Sequence, residues 1–136
     1  MQVATYLNFN GNCEAAFKFY AEALGGKITG MMTHEESPMR EKVPLEMKNK
    51  VMHATLELPG GGNLMGADHP QGKRVQPTGF CVSLQVRDAA EAEQLFKRLS
   101  EGAKVQMEFQ KTFWSPGFGM CTDKFDIPWM VNCATT

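Results

Sequence analysis

The stretch LNFNGNCEAAFKFYAEALGGKI, residues 7–28, is echoed 77 positions later by LQVRDAAEAEQLFKRLSEGAKV, residues 84–105. The two stretches align without a gap. Six aligned pairs are identical: Leu7/Leu84, Glu14/Glu91, Ala15/Ala92, Phe19/Phe96, Gly25/Gly102 and Lys27/Lys104. Each stretch has the pattern of a strand, a helix and a second strand, so the chain contains the same supersecondary unit twice.

A strand precedes the helix in each stretch. Apolar and more polar side chains alternate over residues 3–9 and again over residues 80–86, and a period of two residues indicates a half-buried strand. The faces predicted to be buried consist of Val3, Thr5, Leu7 and Phe9 in the first strand and Phe80, Val82, Leu84 and Val86 in the second.

The first helix is predicted to begin near Asn12 and to end at Gly25, because glycine readily adopts the left-handed conformation that terminates helices. The second helix has Asp88 as a favourable N-cap and Gly102 as its stop. Apolar residues recur at helical spacing on one side of each helix. They are Cys13, Phe17, Tyr20 and Leu24 in the first helix and Ala92, Leu95, Phe96 and Leu99 in the second.

Each helix is followed by a further strand and a hairpin. The strands lie at about 26–33 and 103–109, and the hairpins at about 51–67 and 117–133. A half with this content has too little sheet to close a core alone, and a repeat of this length is too long for a solenoid. We therefore predict an α+β fold of two β-α-β-β-β modules, about 1–68 and 78–136, that form a single domain over residues 1–136.

Composition excludes several classes of protein. The 136 residues carry a formal net charge of −1, and the basic residues are scattered, so nucleic acid is not an expected partner. No stretch approaches the roughly 20 apolar residues needed to span a bilayer, and the start lacks the pattern of a signal peptide. Four cysteines without a Cys-x-x-Cys pair indicate reduced thiols in a cytoplasmic protein.

Several ordered motifs resemble one protein family over nearly the whole chain. They are YLNFNGNCEAAFKFY with LGG, VMHATLEL, LMGAD and FWSPGFGMCTDKFDIPWMVNC. They resemble the PhnB-like branch of the vicinal oxygen chelate superfamily, which includes glyoxalase I, bleomycin-resistance proteins and extradiol dioxygenases. Many PhnB-like proteins carry the label 3-demethylubiquinone 3-methyltransferase, although this sequence lacks the Gly-rich strand-to-helix turn of a nucleotide-like site. The resemblance implies cup-like, curved mixed sheets with the helices on their outer face.

The resemblance also implies positions for metal ligands. Active members place one ligand, usually His, Glu or Gln, on the first and on the last strand of each module. Carried over, these positions are Ala4 or Thr5, Met65, Cys81 and Met130. A divalent Lewis acid prefers imidazole and carboxylate donors, so we expect no metal, no cofactor, and neither glyoxalase nor extradiol dioxygenase activity. Met and Cys at these positions are interpreted as core hydrophobes rather than as a soft Cu(I) site.

A ligand-binding cleft is predicted from polar and aromatic side chains on the cup strands. His53 lies in VMHATLEL and is either an acid, base or anchor in the cleft or a strand histidine satisfied by hydrogen bonds. Trp114 precedes Ser-Pro-Gly in a loop that suits a pocket wall or a dimer contact. The candidate set is His53, Tyr6, Asn8, Met65, Cys81, Ser83, Gln85, Trp114 and Met130.

Three functions remain open from the sequence. The first is a metal-free protein that binds a small organic molecule in a cup-shaped cleft. The second is a metal-dependent lyase or dioxygenase-type enzyme with an atypical site, and the third is an interaction protein with a vestigial cleft. A homodimer is expected because four-stranded sheets leave edges to cover. The long connector at residues 34–50 is interpreted as a lid, a dimer arm or a solvated linker.

Overall fold

The computed structural model describes residues 1–70 and 76–134. The chain divides into two compact units, Met1–Val75 (unit 1) and Gln76–Thr136 (unit 2). The linker predicted near residues 69–78 lies partly outside the described residues. The description of the two modules as a single domain stays a prediction.

Unit 1 has the predicted order strand, helix and three strands. Its elements are β1 (Thr5–Phe9), α1 (Cys13–Leu24), β2 (Lys27–Thr33), β3 (Val51–Glu57) and β4 (Asn63–Asp68). The strands form one mixed sheet in the order β1-β4-β3-β2. β1 runs parallel to β4, and the other pairs are antiparallel.

Unit 2 repeats this order. Its elements are β5 (Val82–Val86), α2 (Ala89–Leu99), β6 (Lys104–Gln110), β7 (Phe118–Thr122) and β8 (Pro128–Cys133). The sheet order is β5-β8-β7-β6, again with one parallel pair, β5 and β8. The prediction of two β-α-β-β-β modules with mixed sheets is confirmed.

Each helix packs on one face of its own sheet. The four apolar residues predicted for the side of α1 that faces the sheet are buried, and so are Ala92, Phe96 and Leu99 of α2. A glycine under each helix permits close approach: a Cβ on Gly66 would lie 2.8 Å from the Phe17 ring, and one on Gly119 would lie 2.7 Å from the Phe96 ring. Helix α2 begins directly after the predicted cap residue Asp88, whose carboxylate accepts a hydrogen bond from the Glu91 N–H.

The first strand of each unit is shorter than predicted. β1 and β5 have five residues each, because pairing with the neighbouring strand begins at Thr5 with Leu64 and at Val82 with Trp129. Val3 and Phe80 precede this pairing and are 90% and 61% exposed, so their assignment to the buried faces was wrong.

Buried carboxylates hold the chain where strands meet. Asp123 accepts hydrogen bonds from the backbone N–H groups of Phe125 and Ile127 and from Nε1 of Trp129, which is buried. Asp126 adopts a φ of 70°, a left-handed conformation that Asp tolerates in turns. These contacts stabilise the β7–β8 hairpin.

The connector at residues 34–50 is tied to itself by backbone hydrogen bonds. It contains two short 3₁₀ turns, Arg40–Lys42 and Leu45–Met47, and Met47 is buried. The N–H of His34 donates to the carbonyl of Lys50 at 3.0 Å. Its role as a lid or a dimer arm stays a prediction.

Candidate functional site

Each sheet has a face turned away from its helix, which we call the open face. Side chains alternate along a strand, so Leu7 and Phe9 of β1 are buried on the helix side, whereas Tyr6 and Asn8 lie exposed on the open face. In β5, Ser83 and Gln85 are exposed in the same way. Four of the predicted cleft residues are therefore placed by this alternation alone.

The open face of unit 1 brings three polar side chains together. Strand register sets Tyr6 beside Met65 and Met65 beside Thr55. The Tyr6 hydroxyl lies 3.4 Å from Nδ1 of His53, and the Thr55 hydroxyl lies 3.2 Å from Nε2. Both ring nitrogens of His53 therefore have a hydroxyl partner, and the side chain is exposed to solvent.

The two hydroxyls hold the His53 ring in place. Partial burial, and to a smaller extent the proximity of Cys13, raise the pKa of the Tyr6 hydroxyl. Tyr6 therefore keeps its proton at neutral pH, and a neutral hydroxyl can either donate to a ring nitrogen or accept from it. A bound molecule that replaces one of the two hydroxyl contacts would meet an imidazole that can orient its polar group or exchange a proton with it.

The open face of unit 2 includes two neighbouring rows of uncharged side chains, and a third row, Pro128, Thr122 and Lys104, lies beside them. Register places Met107, Met120 and Met130 on adjacent strands beside Ser83, and Phe118 and Asn132 beside Gln85. The three methionines are half-buried. Met65 and Cys81 are half-buried too, so the interpretation of Met65, Cys81 and Met130 as core residues was wrong. The methionines lie on the side of each sheet that no helix of their own unit covers.

Three polar side chains on this face are linked by hydrogen bonds that run in one direction. Nδ2 of Asn132 donates to Oε1 of Gln85 at 2.9 Å, and Nε2 of Gln85 donates to Oγ of Ser83 at 2.6 Å. Oδ1 of Asn132 is shielded from solvent and has no hydrogen-bond partner among the described residues. This series of hydrogen bonds therefore leaves an unused acceptor at one end, on Asn132, and a hydroxyl proton at the other end, on Ser83.

Trp114 lies next to this face, in the loop between β6 and β7. Its ring meets Phe118 edge-on, with centroids 5.3 Å apart, and Phe113 packs against its other side at 4.8 Å. Trp114 is 50% exposed. Its prediction as a pocket wall or a dimer contact is untested.

The predicted site residues thus fall into two groups. Unit 1 brings together Tyr6, His53 and Met65, with Asn8 on the same open face; unit 2 brings together Ser83, Gln85 and Met130, with Cys81 directly before β5. Thr55, Met107, Met120 and Asn132 were not predicted from the sequence. The alternation in VMHATLE and PWMVNC was a signal for Thr55 and Asn132, because they share a face with His53 and Met130. Met107 and Met120 join the site only through the strand register.

The donors at the inherited metal positions do not fit a hard divalent ion. Ala4, Thr5, Met65, Cys81 and Met130 offer no imidazole or carboxylate, which are the donors that such an ion prefers. Over residues 1–70 and 76–134, the structure has no cluster of three or more His, Cys, Asp or Glu side chains that could hold a metal. His53 has hydroxyl neighbours in place of further ligands.

Comparison with known proteins gives a consistent result. Residues 2–131 match the model of the glyoxalase/bleomycin resistance protein/dioxygenase superfamily. The chain is 33% identical to protein YjdN of Escherichia coli strain K12, covering 97% of this chain and 95% of that protein. No helix in the described part of the chain is long and apolar enough to cross a membrane.

Solved structures agree in fold. The structure of protein PA1353 from Pseudomonas aeruginosa is 42% identical, covers 100% of this chain and 99% of its own, and gives a TM-score of 0.89. A Bacillus cereus PhnB protein, provisionally named 3-demethylubiquinone-9 3-methyltransferase, is 21% identical over 98% of this chain and 100% of its own, with a TM-score of 0.80. The chain therefore belongs to the glyoxalase/bleomycin resistance protein/dioxygenase superfamily.

Proposed function

We propose that this protein binds a small organic molecule on the open faces of its sheets, without a divalent metal ion. The observation that carries the proposal is the composition of these faces. Each combines hydrogen-bonded polar side chains with half-buried methionines, whereas most of the aromatic and branched core residues, with the exception of Phe118, lie on the helix side. Binding sites for small molecules share this combination of apolar lining and a few placed polar groups.

His53 is the group in unit 1 that we propose to contact the molecule. Its exposed ring is oriented by Tyr6 and Thr55, so a bound polar group would meet an imidazole of defined position. A hydrogen bond of this kind contributes about 1 kcal/mol, which corresponds to roughly fivefold in affinity. Replacing His53 by Asn removes the ring but keeps a polar side chain of smaller size.

A thermal-shift screen of a chemically diverse library tests the proposal, because a molecule that binds the native state raises the melting temperature. A hit is then titrated against wild type, His53→Asn and the matched control His34→Asn, whose position lies in the 34–50 connector. We expect about fivefold or greater weakening in His53→Asn, no change in His34→Asn, and unchanged circular dichroism in both. A library without a single hit would contradict the proposal, and if every hit is insensitive to His53, the role of His53 in unit 1 is wrong.

We also propose that the protein is a homodimer. Two exposed apolar side chains support this proposal: Val3 and Phe80 occupy equivalent positions, each two residues before an edge strand. Apolar residues beside an unpaired strand edge suit a partner chain that covers both.

A further inference from the structure

We propose that the open face of unit 2 binds an uncharged, flat and mainly apolar ligand, which donates one hydrogen bond to Oδ1 of Asn132. This inference rests on the proposed function, since it names the class of molecule that the site accepts. It is carried by the charge, the shape and the hydrogen bonding of the two rows of side chains.

The first step is the absence of charge. The two rows contain eight side chains: Ser83, Met130, Met120 and Met107 in one, and Gln85, Asn132, Phe118 and Gln110 in the other. None of the eight is ionisable, although 21% of the residues in the chain are charged. The row beside them has one charged member, Lys104, on the edge strand β6. A charged group moved from water onto the two uncharged rows would lose hydration without gaining a counter-ion there, so an uncharged ligand is favoured.

The second step is the shape of the apolar surface. Met107, Met120 and Met130 are direct neighbours across three adjacent strands. With strands about 4.8 Å apart, the row is about 10 Å long, which is close to the length of two fused aromatic rings. Thioether sulfur makes favourable contacts with aromatic rings, and the unbranched methionine side chain adapts to the outline of a ligand. Phe118 and Trp114 add an aromatic edge beside this row.

The third step is the unused acceptor. The hydrogen bonds that run from Asn132 through Gln85 to Ser83 use one N–H of each side-chain amide and leave Oδ1 of Asn132 unpaired. A shielded acceptor without a partner costs free energy that a ligand donor would recover. Because solvent does not reach this oxygen, a neighbouring side chain has to move before a ligand can bind to it. Met130 lies two positions away on the same face of β8 and has the rotatable bonds to do so.

Three naphthalene probes separate these contributions. 2-Naphthol has a flat apolar ring and a donor; 2-methoxynaphthalene has the ring without the donor; 6-hydroxy-2-naphthoate has ring and donor with an added charge. The full chain is labelled at its methionine methyl groups with ¹³C and titrated with each probe. The methyl signals are assigned by single Met→Leu variants, and buried Met47 of unit 1 serves as the reference.

We expect saturable shifts of the Met107, Met120 and Met130 signals with 2-naphthol, and none for Met47. Binding should weaken about tenfold when the donor is removed and about tenfold or more when the carboxylate is added. In Asn132→Leu, the difference between 2-naphthol and 2-methoxynaphthalene should disappear. Met120→Thr, which keeps a residue favourable for a strand, should weaken all three probes together.

Several outcomes would overturn the inference. They are equal affinity for the charged and uncharged probes, tighter binding of the probe that lacks a donor, or a donor preference that survives in Asn132→Leu. Library hits that shift Met65 of unit 1 but none of the three row methionines would also overturn it while leaving the proposed function intact. A protein that binds neither the probes nor any library compound would instead contradict the proposed function itself.

Discussion

The packing of α2 on its sheet can be tested by adding a single methyl group at Gly119. A Cβ there would lie 2.7, 2.9 and 3.0 Å from three ring atoms of Phe96, whereas carbon atoms pack best at about 3.5–4.0 Å. Phe96 is only 4% exposed and packs against Phe109 with ring centroids 6.0 Å apart. The ring therefore has to shift by about 1 Å in a crowded core.

We expect Gly119→Ala to lower the free energy of unfolding by about 1–2 kcal/mol. Overpacking of a core costs about 1–3 kcal/mol, and the smaller conformational freedom of alanine in the unfolded chain offsets about 0.4–1 kcal/mol of this. Urea denaturation followed by circular dichroism measures the difference. Gly30→Ala is the matched control: it is also a strand glycine, but no described atom lies within 4 Å of the added Cβ, so its stability should stay equal or rise.

A second substitution distinguishes the clash from a general intolerance of alanine. Phe96→Leu alone should destabilise the protein through the cavity it leaves, but in combination with Gly119→Ala the smaller side chain gives room to the new methyl group. We expect the double variant to be about 1 kcal/mol more stable than the sum of the single effects. Additive effects, or a Gly119→Ala protein as stable as wild type, would refute the argument from close packing.

Three further predictions concern thiols and assembly. Burial raises the pKa of Cys13 from 9.0 to about 12 and that of Cys121 from 9.0 to about 11, so both thiols ionise first in the unfolded chain. Stability should be complete below pH 9 and fall above it by up to about 1.4 kcal/mol per pH unit for each thiol, less steeply in Cys13→Ala. An unfolding free energy that stays constant from pH 8 to 10.5 would contradict this. Iodoacetamide at pH 8 should modify half-buried Cys81 well before buried Cys13, as followed by peptide mass spectrometry, and equal rates would be the contrary result. Light scattering should give a particle of about twice the chain mass of 15.1 kDa. The double variant Val3→Asp with Phe80→Asp should lower this mass toward that of the monomer. A wild-type particle of one chain mass at micromolar concentration would refute the dimer.

Local sequence patterns predicted the elements of the fold well because their causes are local. The helix side of α1, the cap at Asp88 and the left-handed turn at Asp126 depend on spacing and residue type within a few positions. Val3 and Phe80 continue the alternation of their strands, but they lie beyond the paired part of the sheet. Strand length depends on where the neighbouring strand starts, and that information is not local.

Only part of the site was predicted, because its contacts across strands are not local in the sequence. Alternation identified Tyr6 and Ser83 as residues of the open faces, but contacts across strands require the register. His53 meets Tyr6 only because β4 lies between β1 and β3 in the sheet order, and Asn132 meets Gln85 through the parallel pairing of β5 with β8. Single-strand patterns contain neither relation.

The row of three methionines also makes the open face of unit 2 sensitive to oxidation. Met107, Met120 and Met130 are half-buried, whereas Met47 is buried. Oxidation converts methionine into a polar, chiral sulfoxide, and reductases reverse this change. Peroxide would therefore turn this apolar surface polar while the aromatic cores under α1 and α2 stay intact. A molecule bound there as proposed would dissociate when the methionines are oxidised and bind again when they are reduced, at constant fold.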